Sequence, residues 1–296
     1  MPVSVAFLGP HGTYGERATR ALMQLEGLND AELLPCVSLR SVVEHVADGR
    51  CDAAVVPVEN SVEGGVTASL DALWSNPEIC IRRAVVLPIR HALLSSGTLR
   101  EISEVLSHPQ ALAQCAAWLQ QHLPHALQLP TSSTAEAARL VQGSRFRAAV
   151  ASRRAGQDQG VAELAYPIND QPGNCTRFLL LRRTPQLTAA AVHCTSLAFS
   201  LKANAPGALL EALEIFAARE LNMSRIESRP SKRELGEYVF FVDLETCGDA
   251  LVVAPLVDQL RQSLQPLCER LTWFGTYPIS DDTVSLETTQ IASGRD

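Results

Sequence analysis

The sequence predicts an α/β protein built from two units, and three observations carry that prediction. From Val3 to about Ile168, short apolar runs alternate with stretches of helical periodicity, the pattern of strands and helices wound around an open sheet. From Thr184-Pro185 to Ala191 the chain is small, apolar and without strong periodicity, which suits a linker. Beyond it the elements read strand, helix, strand, strand, helix, strand, the split ferredoxin-like order. A chain of 296 residues is long enough for two domains of ordinary size, and 46% hydrophobic with 19% charged residues is the balance of a globular protein with a full core.

Charge and cysteine usage narrow the chemistry. Lys plus Arg 25 against Asp plus Glu 32 gives a net charge of −7, with no basic cluster along one face, so neither a nucleic acid nor an anionic membrane is an expected partner. Any anion site has to be local. The amino terminus runs directly from Met1-Pro2 into an apolar strand, without the basic, apolar and small-residue order of a signal peptide, and no run approaches the roughly 20 apolar residues of a membrane helix. The eight cysteines are scattered without a C-x-x-C pair and the seven histidines lack ligand spacing, so the expectation is reduced thiols in a cytoplasmic protein and no metal site.

Val3 to Leu8 reads as a buried strand, followed by the turn Gly9-Pro10-His11-Gly12-Thr13-Tyr14-Gly15 and a helix from Glu16 to Leu25. Backbone amides at such a helix start carry partial positive charge, and Thr13 adds a hydroxyl, an arrangement suited to an anion or to a plain structural turn. It lacks both G-x-G-x-x-G and G-x-x-x-x-G-K-[ST], so no dinucleotide or ATP site is read there. Leu33 to Val37 is a second strand, Ser38 caps a helix to about Asp48, and Asp52 to Val58 is a third strand ending in Glu59-Asn60-Ser61. Loops that leave the carboxyl ends of strands form the crevice of open α/β sheets, which places Asn60 at a ligand-facing edge. Gly64-Gly65 leads into a helix near Thr67 to Trp74.

Ile79 to Ser95 alternates weakly and contains Pro88, as expected of crossing strands that carry the chain into a second lobe. Glu104 to Leu106 is a short strand ending in Ser107-His108-Pro109-Gln110, followed by an amphipathic helix from Ala111 to about His122. Ser107, just before that helix, and Gln114, one turn inside it, are placed to face a ligand, or alternatively to serve as a cap and a solvated side chain. His108, alone before a proline, reads as a turn residue. The pattern recurs with strand Leu127 to Leu129, the hydroxyl cluster Thr131-Ser132-Ser133-Thr134 and a helix from Ala135 to Gln142 with Glu136 in its first turn. Ala148 to Ala151 is a further strand, a short helix follows Arg153-Arg154, and Leu164 to Ile168 returns toward the opening motif.

After the Pro172-Gly173 turn comes Asn174-Cys175-Thr176-Arg177-Phe178 at the mouth of the apolar run Leu179 to Leu181. A hydroxyl beside a guanidinium there offers a hydrogen bond to a leaving oxygen while its neighbour holds a carboxylate. In the second unit Thr195 to Ala203 is a strand and Asn204-Ala205-Pro206-Gly207 a turn. Ala208 to Leu221 is an amphipathic helix, and Met223 to Ile226, ending in Glu227-Ser228-Arg229-Pro230, is the next strand. Tyr238 to Leu244, Ala254 to Leu264 and Leu271 to Tyr277 complete the order, and Ser280 to Asp296 reads as a polar, flexible tail.

These residues carry a resemblance over nearly the whole chain. With Phe7-Leu8-Gly9-Pro10 and Gly12-Thr13-Tyr14, Val56-Pro57-Val58-Glu59-Asn60-Ser61, Ser107-His108-Pro109-Gln110 with Gln114, and Asn174-Cys175-Thr176-Arg177-Phe178, the sequence resembles the single-activity prephenate dehydratases with a C-terminal ACT domain. Pro206-Gly207-Ala208-Leu209 and Glu227-Ser228-Arg229-Pro230 carry the regulatory part. The resemblance implies a two-lobed, periplasmic-binding-protein-like catalytic region over 1–184 with the second lobe at about 82–160, a linker at 185–194, a ferredoxin-like ACT domain at 195–279 and a tail at 280–296. Nothing before Phe7 resembles the chorismate mutase helices of some relatives.

The resemblance further implies prephenate as substrate, no cofactor, and Thr176, Asn60, Ser107 and Gln114 as the catalytic set. Arg177 or helix amino ends are expected on the pyruvyl carboxylate, Phe178 as an aromatic wall beside the departing carboxylate, and Thr13, Ser133 and Thr134 as further substrate contacts. Phenylalanine is implied as effector, held between Asn204, Pro206, Gly207, Ala208 and Leu209 of one copy and Glu227, Ser228, Arg229 and Pro230 of another, in a homodimer or homotetramer. Arogenate dehydratase, and an amino-acid-binding sensor without catalysis on the same scaffold, are the rival readings.

Overall fold

The computed structural model describes residues 3–184 and 191–281. The first lobe contains β1 (Ser4–Leu8), α1 (Tyr14–Leu25), β2 (Glu32–Cys36), α2 (Leu39–Ala47), β3 (Ala53–Asn60), the short β4 (Gly64–Gly65), α3 (Thr67–Ser75) and β5 (Cys80–Pro88). The second contains β6 (Ala92–Leu94), β7 (Glu104–Ser107), α4 (Pro109–Ala113), α5 (Ala116–His122), β8 (Leu127–Pro130), α6 (Thr134–Leu140), β9 (Arg147–Ala151), α7 (Arg153–Gln159) and β10 (Glu163–Ala165). The chain then returns to the first lobe as β11 (Cys175–Arg182). The third unit is β12 (Ala191–Leu201), α8 (Ala208–Ala217), β13 (Met223–Pro230), β14 (Tyr238–Asp249), α9 (Ala250–Leu264) and β15 (Cys268–Tyr277), closed by β16 (Ile279–Asp281).

Three sheets result. The first runs β16-β5-β11-β3-β1-β2, with β4 on β3; β1, β2 and β3 are parallel, and β11 lies antiparallel between β3 and β5. The second runs β10-β6-β9-β7-β8, and the third β13-β14-β12-β15, the strand order of a ferredoxin-like sheet. The centre of β1, Val5, Ala6 and Phe7, is fully buried, because helix α1 covers one face of the first sheet while α2 and α3 cover the other. Leu179 and Leu181 of β11 share that second face with Phe241, Phe274 and Tyr277, so the third sheet packs directly against the first lobe.

Several expected boundaries are corrected. The second lobe spans about 92–165 rather than 82–160, because β5 stays in the first sheet and the chain crosses only at Ile89–His91 and again at 166–174. Of the linker expected at 185–194, residues 185–190 lie outside the described residues, and β12 already begins at Ala191. The start of the expected tail, Ser280 and Asp281, pairs in β16 with β5, and the remainder lies outside the described residues. The helix expected as one piece to His122 is two, α4 and α5. Asp170, from the returning segment, accepts from the Ala117 and Trp118 amides at 2.8 and 2.9 Å and so caps α5, and the break leaves Gln114 between the two helices.

Candidate active site

A cleft of about 1050 Å³ opens between the two lobes, and strand and helix ends line it as their caps dictate. Thr13 is the N-cap of α1: its Oγ1 accepts from the Glu16 amide at 3.3 Å, while Glu16 reaches back to the Gly12 N–H at 2.7 Å. Gly12 has φ +84°, a left-handed conformation that glycine adopts without strain. Across the cleft Ser133 caps α6, accepting from the Glu136 amide at 3.0 Å, with Thr134 beside it. Thr13, Ser133 and Thr134 thus all line the cleft, as do Asn60, Gln114, Thr176 and Phe178.

The centre of the site is the pairing of β3 with β11. Thr176 stands directly opposite Asn60, and Arg177 opposite Glu59. Side chains alternate across a strand, so Thr176 and Asn60 face the cleft while Arg177 and Glu59 face the back of the sheet. Asn60 Nδ2 donates to Thr176 Oγ1 at 2.8 Å and to Asn174 Oδ1 at 2.9 Å. Its Oδ1 accepts from the amides of Val62 and Glu63 at 2.9 and 3.0 Å, which fixes which end of the amide points at Thr176. Thr176 Oγ1 is therefore an acceptor toward Asn60, and its own proton is left to be donated elsewhere.

The network continues across the lobes. Asn174 Nδ2 donates to Gln114 Oε1 at 2.9 Å, and the same oxygen lies 3.2 Å from His91 Nε2 in the crossing segment. An amide oxygen accepts only, so His91 carries its proton on Nε2. Burial lowers the His91 pKa against the opposing Gln114 bond, and its Nδ1 is buried without a partner. The imidazole is neutral at pH 7. Gln114 Nε2 lies 3.4 Å from Glu63 Oε1, which completes a run of oriented amides from hinge to strand end.

Two expected site residues are placed elsewhere. Ser107 is fully buried and donates to the Val150 carbonyl at 2.5 Å, so it fastens β7 to β9; the α4 cap is His108, whose Nδ1 accepts from the Gln110 amide. Arg177 lies on the opposite face of the sheet from Thr176, where its Nη2 meets Asp243 Oδ2 of the third sheet at 2.5 Å and Glu59 Oε2 at 2.9 Å. It cannot reach a substrate carboxylate in the cleft. The residues expected at an effector site lie at the start of α8, with Gly207 as its cap at φ +90°, and along the edge strand β13, where Arg229 Nη2 is 3.4 Å from Asp71 Oδ2.

Two cleft groups, His91 and Arg139, have no counterpart in the sequence reading, and Asn174 stands in the Thr176 motif without an assigned role. Asn174 and His91 link the lobes, and Arg139 of α6 is the one arginine or lysine lining the cleft among the described residues. Arg139 is mostly exposed and held only by a long 3.9 Å contact to Glu136, so it is free to turn to an anion. The arrangement is one exposed cation, a hydroxyl with a free proton, and neighbouring amide and hydroxyl side chains.

The chain is similar to known proteins over nearly its whole length. Residues 5–186 match the family model for prephenate dehydratase, and residues 195–262 the ACT domain model. The chain is 36% identical to the prephenate dehydratase of Amycolatopsis methanolica over 279 residues, 94% of this chain and 89% of that one. Among solved structures it is similar to the prephenate dehydratase of Arthrobacter aurescens in complex with L-Phe (TM-score 0.81, 38% identity, 93% of this chain and 90% of that one). It is also similar to GqqA, described as a novel type of quorum quenching acylase (TM-score 0.76, 28% identity, 94% and 98%). The chain belongs to the prephenate dehydratase family, with an ACT domain following the catalytic region.

Proposed function

We propose that the chain converts prephenate to phenylpyruvate, with Thr176 assisting departure of the ring hydroxyl, and that phenylalanine regulates it through the ACT domain. The observation that carries the catalytic half is the free Thr176 proton, left over because Asn60 can only donate to that oxygen. In the reaction the bond from the ring to its carboxylate breaks and its electrons complete the aromatic ring. The ring C–O bond leaves with its pair, and one proton converts the departing hydroxide to water, so that dianionic prephenate and a proton give phenylpyruvate, carbon dioxide and water. A threonine hydroxyl is a weak acid, so its contribution is a hydrogen bond that strengthens as charge builds on the leaving oxygen, with the proton reaching it through water or neighbours.

Arg139 takes the place sequence reasoning gave to Arg177 and holds the pyruvyl carboxylate, because it is the cation available in the cleft. The carboxylate that leaves sits better against Phe178, since an ion pair would stabilise it in the ground state. Arg139→Gln is expected to raise KM for prephenate roughly 10-fold or more with little change in kcat, as loss of a hydrogen bond to a charged group costs about 1.5–3 kcal/mol. An unchanged KM would remove Arg139 from this role.

The test of the proposal is steady-state turnover on prephenate and on arogenate, with and without phenylalanine. Higher kcat/KM on prephenate and a fall in rate with phenylalanine are expected; preference for arogenate would reassign the substrate. Because the expected effector site uses two copies, light scattering should give at least twice the chain mass, and a concentration-independent monomer would defeat that part. Acyl transfer, suggested by the likeness to GqqA, suits Thr176 poorly: the group bonded to its hydroxyl is an amide donor, not a base that could activate a nucleophile.

A further inference from the structure

The back face of β11 holds a buried ionic cluster that the reaction itself does not use. Asp243, in the middle of β14, is fully buried; its Oδ2 accepts from Arg177 at 2.5 Å and from Arg225 at 2.8 Å, and its Oδ1 accepts from Ser196. Burial alone would raise the carboxyl pKa, but Arg225 and Arg177 outweigh it and hold Asp243 ionised, below the usual range. Arg177 is the residue after Thr176, and its other partner Glu59 is the residue before Asn60, so the two residues that hold Arg177 fix the strand pair that sets the 2.8 Å Asn60–Thr176 bond.

Arg225 leads away from the catalytic strand to β13. Its Nη1 lies 3.6 Å from Glu227 Oε2, and the Glu227 carboxylate sits against Gly65 so closely that a Cβ there would come within 1.8 Å of it. Gly65 lines the cleft and pairs with Glu59 through β4. The cluster is incompletely satisfied: Arg177 Nε and Arg225 Nη1 are buried without hydrogen-bond partners, and a void of about 10 Å³, roughly one water, adjoins Arg225 and Asp243. A buried network with spare donors and adjacent free space can re-pair at little cost, as a two-state element requires.

We infer that Asp243 is a positioning residue for Thr176, acting through Arg177, and that Arg225 makes the same carboxylate respond to strand β13. The first half stands on geometry alone; the second rests on the proposed phenylalanine regulation. Arg225→Gln leaves Asp243 balanced by Arg177 and removes no side chain that lines the cleft. In the full chain it is expected to keep kcat and KM within about twofold and still to bind phenylalanine by calorimetry, while inhibition requires roughly 10-fold more phenylalanine. Inhibition at wild-type concentrations would overturn the link.

Asp243→Asn, with folding checked by circular dichroism, is expected to lose kcat by roughly 10-fold at unchanged KM and to lose inhibition with phenylalanine still bound. Unchanged kcat would overturn the positioning role. Should this variant not fold, the Arg225→Gln inhibition curve decides. Should wild type bind phenylalanine without inhibition, the regulatory reading of the ACT domain falls, and the kcat of Asp243→Asn alone decides the positioning claim.

Discussion

Replacing Thr176 by valine, which keeps the shape and removes the hydroxyl, is expected to lower kcat on prephenate by about 10²–10³-fold, the loss typical of one transition-state donor. KM should change little, because the bond matters as charge accumulates on the leaving oxygen and hardly before. Thr176 is buried and bonded to Asn60, so valine removes one of three acceptors around the Asn60 amide nitrogen; its two N–H groups retain Asn174 Oδ1 and the Cys175 carbonyl, and the fold should hold. Thr176→Ser should recover most of the rate. Valine turning over within a few-fold of wild type would remove the hydroxyl from the chemistry, whatever the strand geometry.

The second large effect falls on stability. Asp243→Asn is expected to cost about 3–5 kcal/mol in denaturant unfolding, because two buried guanidinium groups lose the carboxylate that compensates them. The pH dependence has a definite sign. Asp243 has a folded pKa below that of the unfolded chain, so its contribution is fully present above the unfolded value near 4 and is lost as pH falls through the folded one. The stability gap between wild type and Asp243→Asn should therefore be constant from pH 7 down to about 5 and narrow below about 4. A gap that stayed constant into acid would mean that Asp243 is not held ionised by the arginines.

Much of the fold and part of the site can be read in the residues themselves. A strand that ends on Asn60, another that begins at Cys175-Thr176, and helix starts capped by Thr13 and Ser133 announce themselves through local chemistry, and Asn60, Thr176, Thr13 and Ser133 all line the cleft. Ser107, expected to face a ligand because it stands just before a helix, is buried instead: the strand runs through it and His108 does the capping. The placement of Arg177 beside Thr176 in one pocket conflicts with the two-residue period of a strand, which sends neighbours to opposite faces. That contradiction was visible in the sequence.

A second visible signal was Asp243 in the run Tyr238 to Leu244, since a lone carboxylate in an apolar strand at a buried position has to find cations. His91, Gln114 and Asn174 are different. They meet only because the chain crosses between lobes twice, and nothing in their spacing reports the distance. Arg139 likewise becomes the cleft cation through the orientation of α6 and not through any motif.

The most direct measurement of the central claim is release of phenylpyruvate and carbon dioxide from prephenate by the purified full chain, followed by ultraviolet absorbance and by trapping of the gas. Equal amounts of the two products, formed at a rate that collapses in Thr176→Val, are the predicted result. Prephenate left intact by a folded chain that still binds phenylalanine would contradict the account and leave a two-lobed binding protein in place of an enzyme.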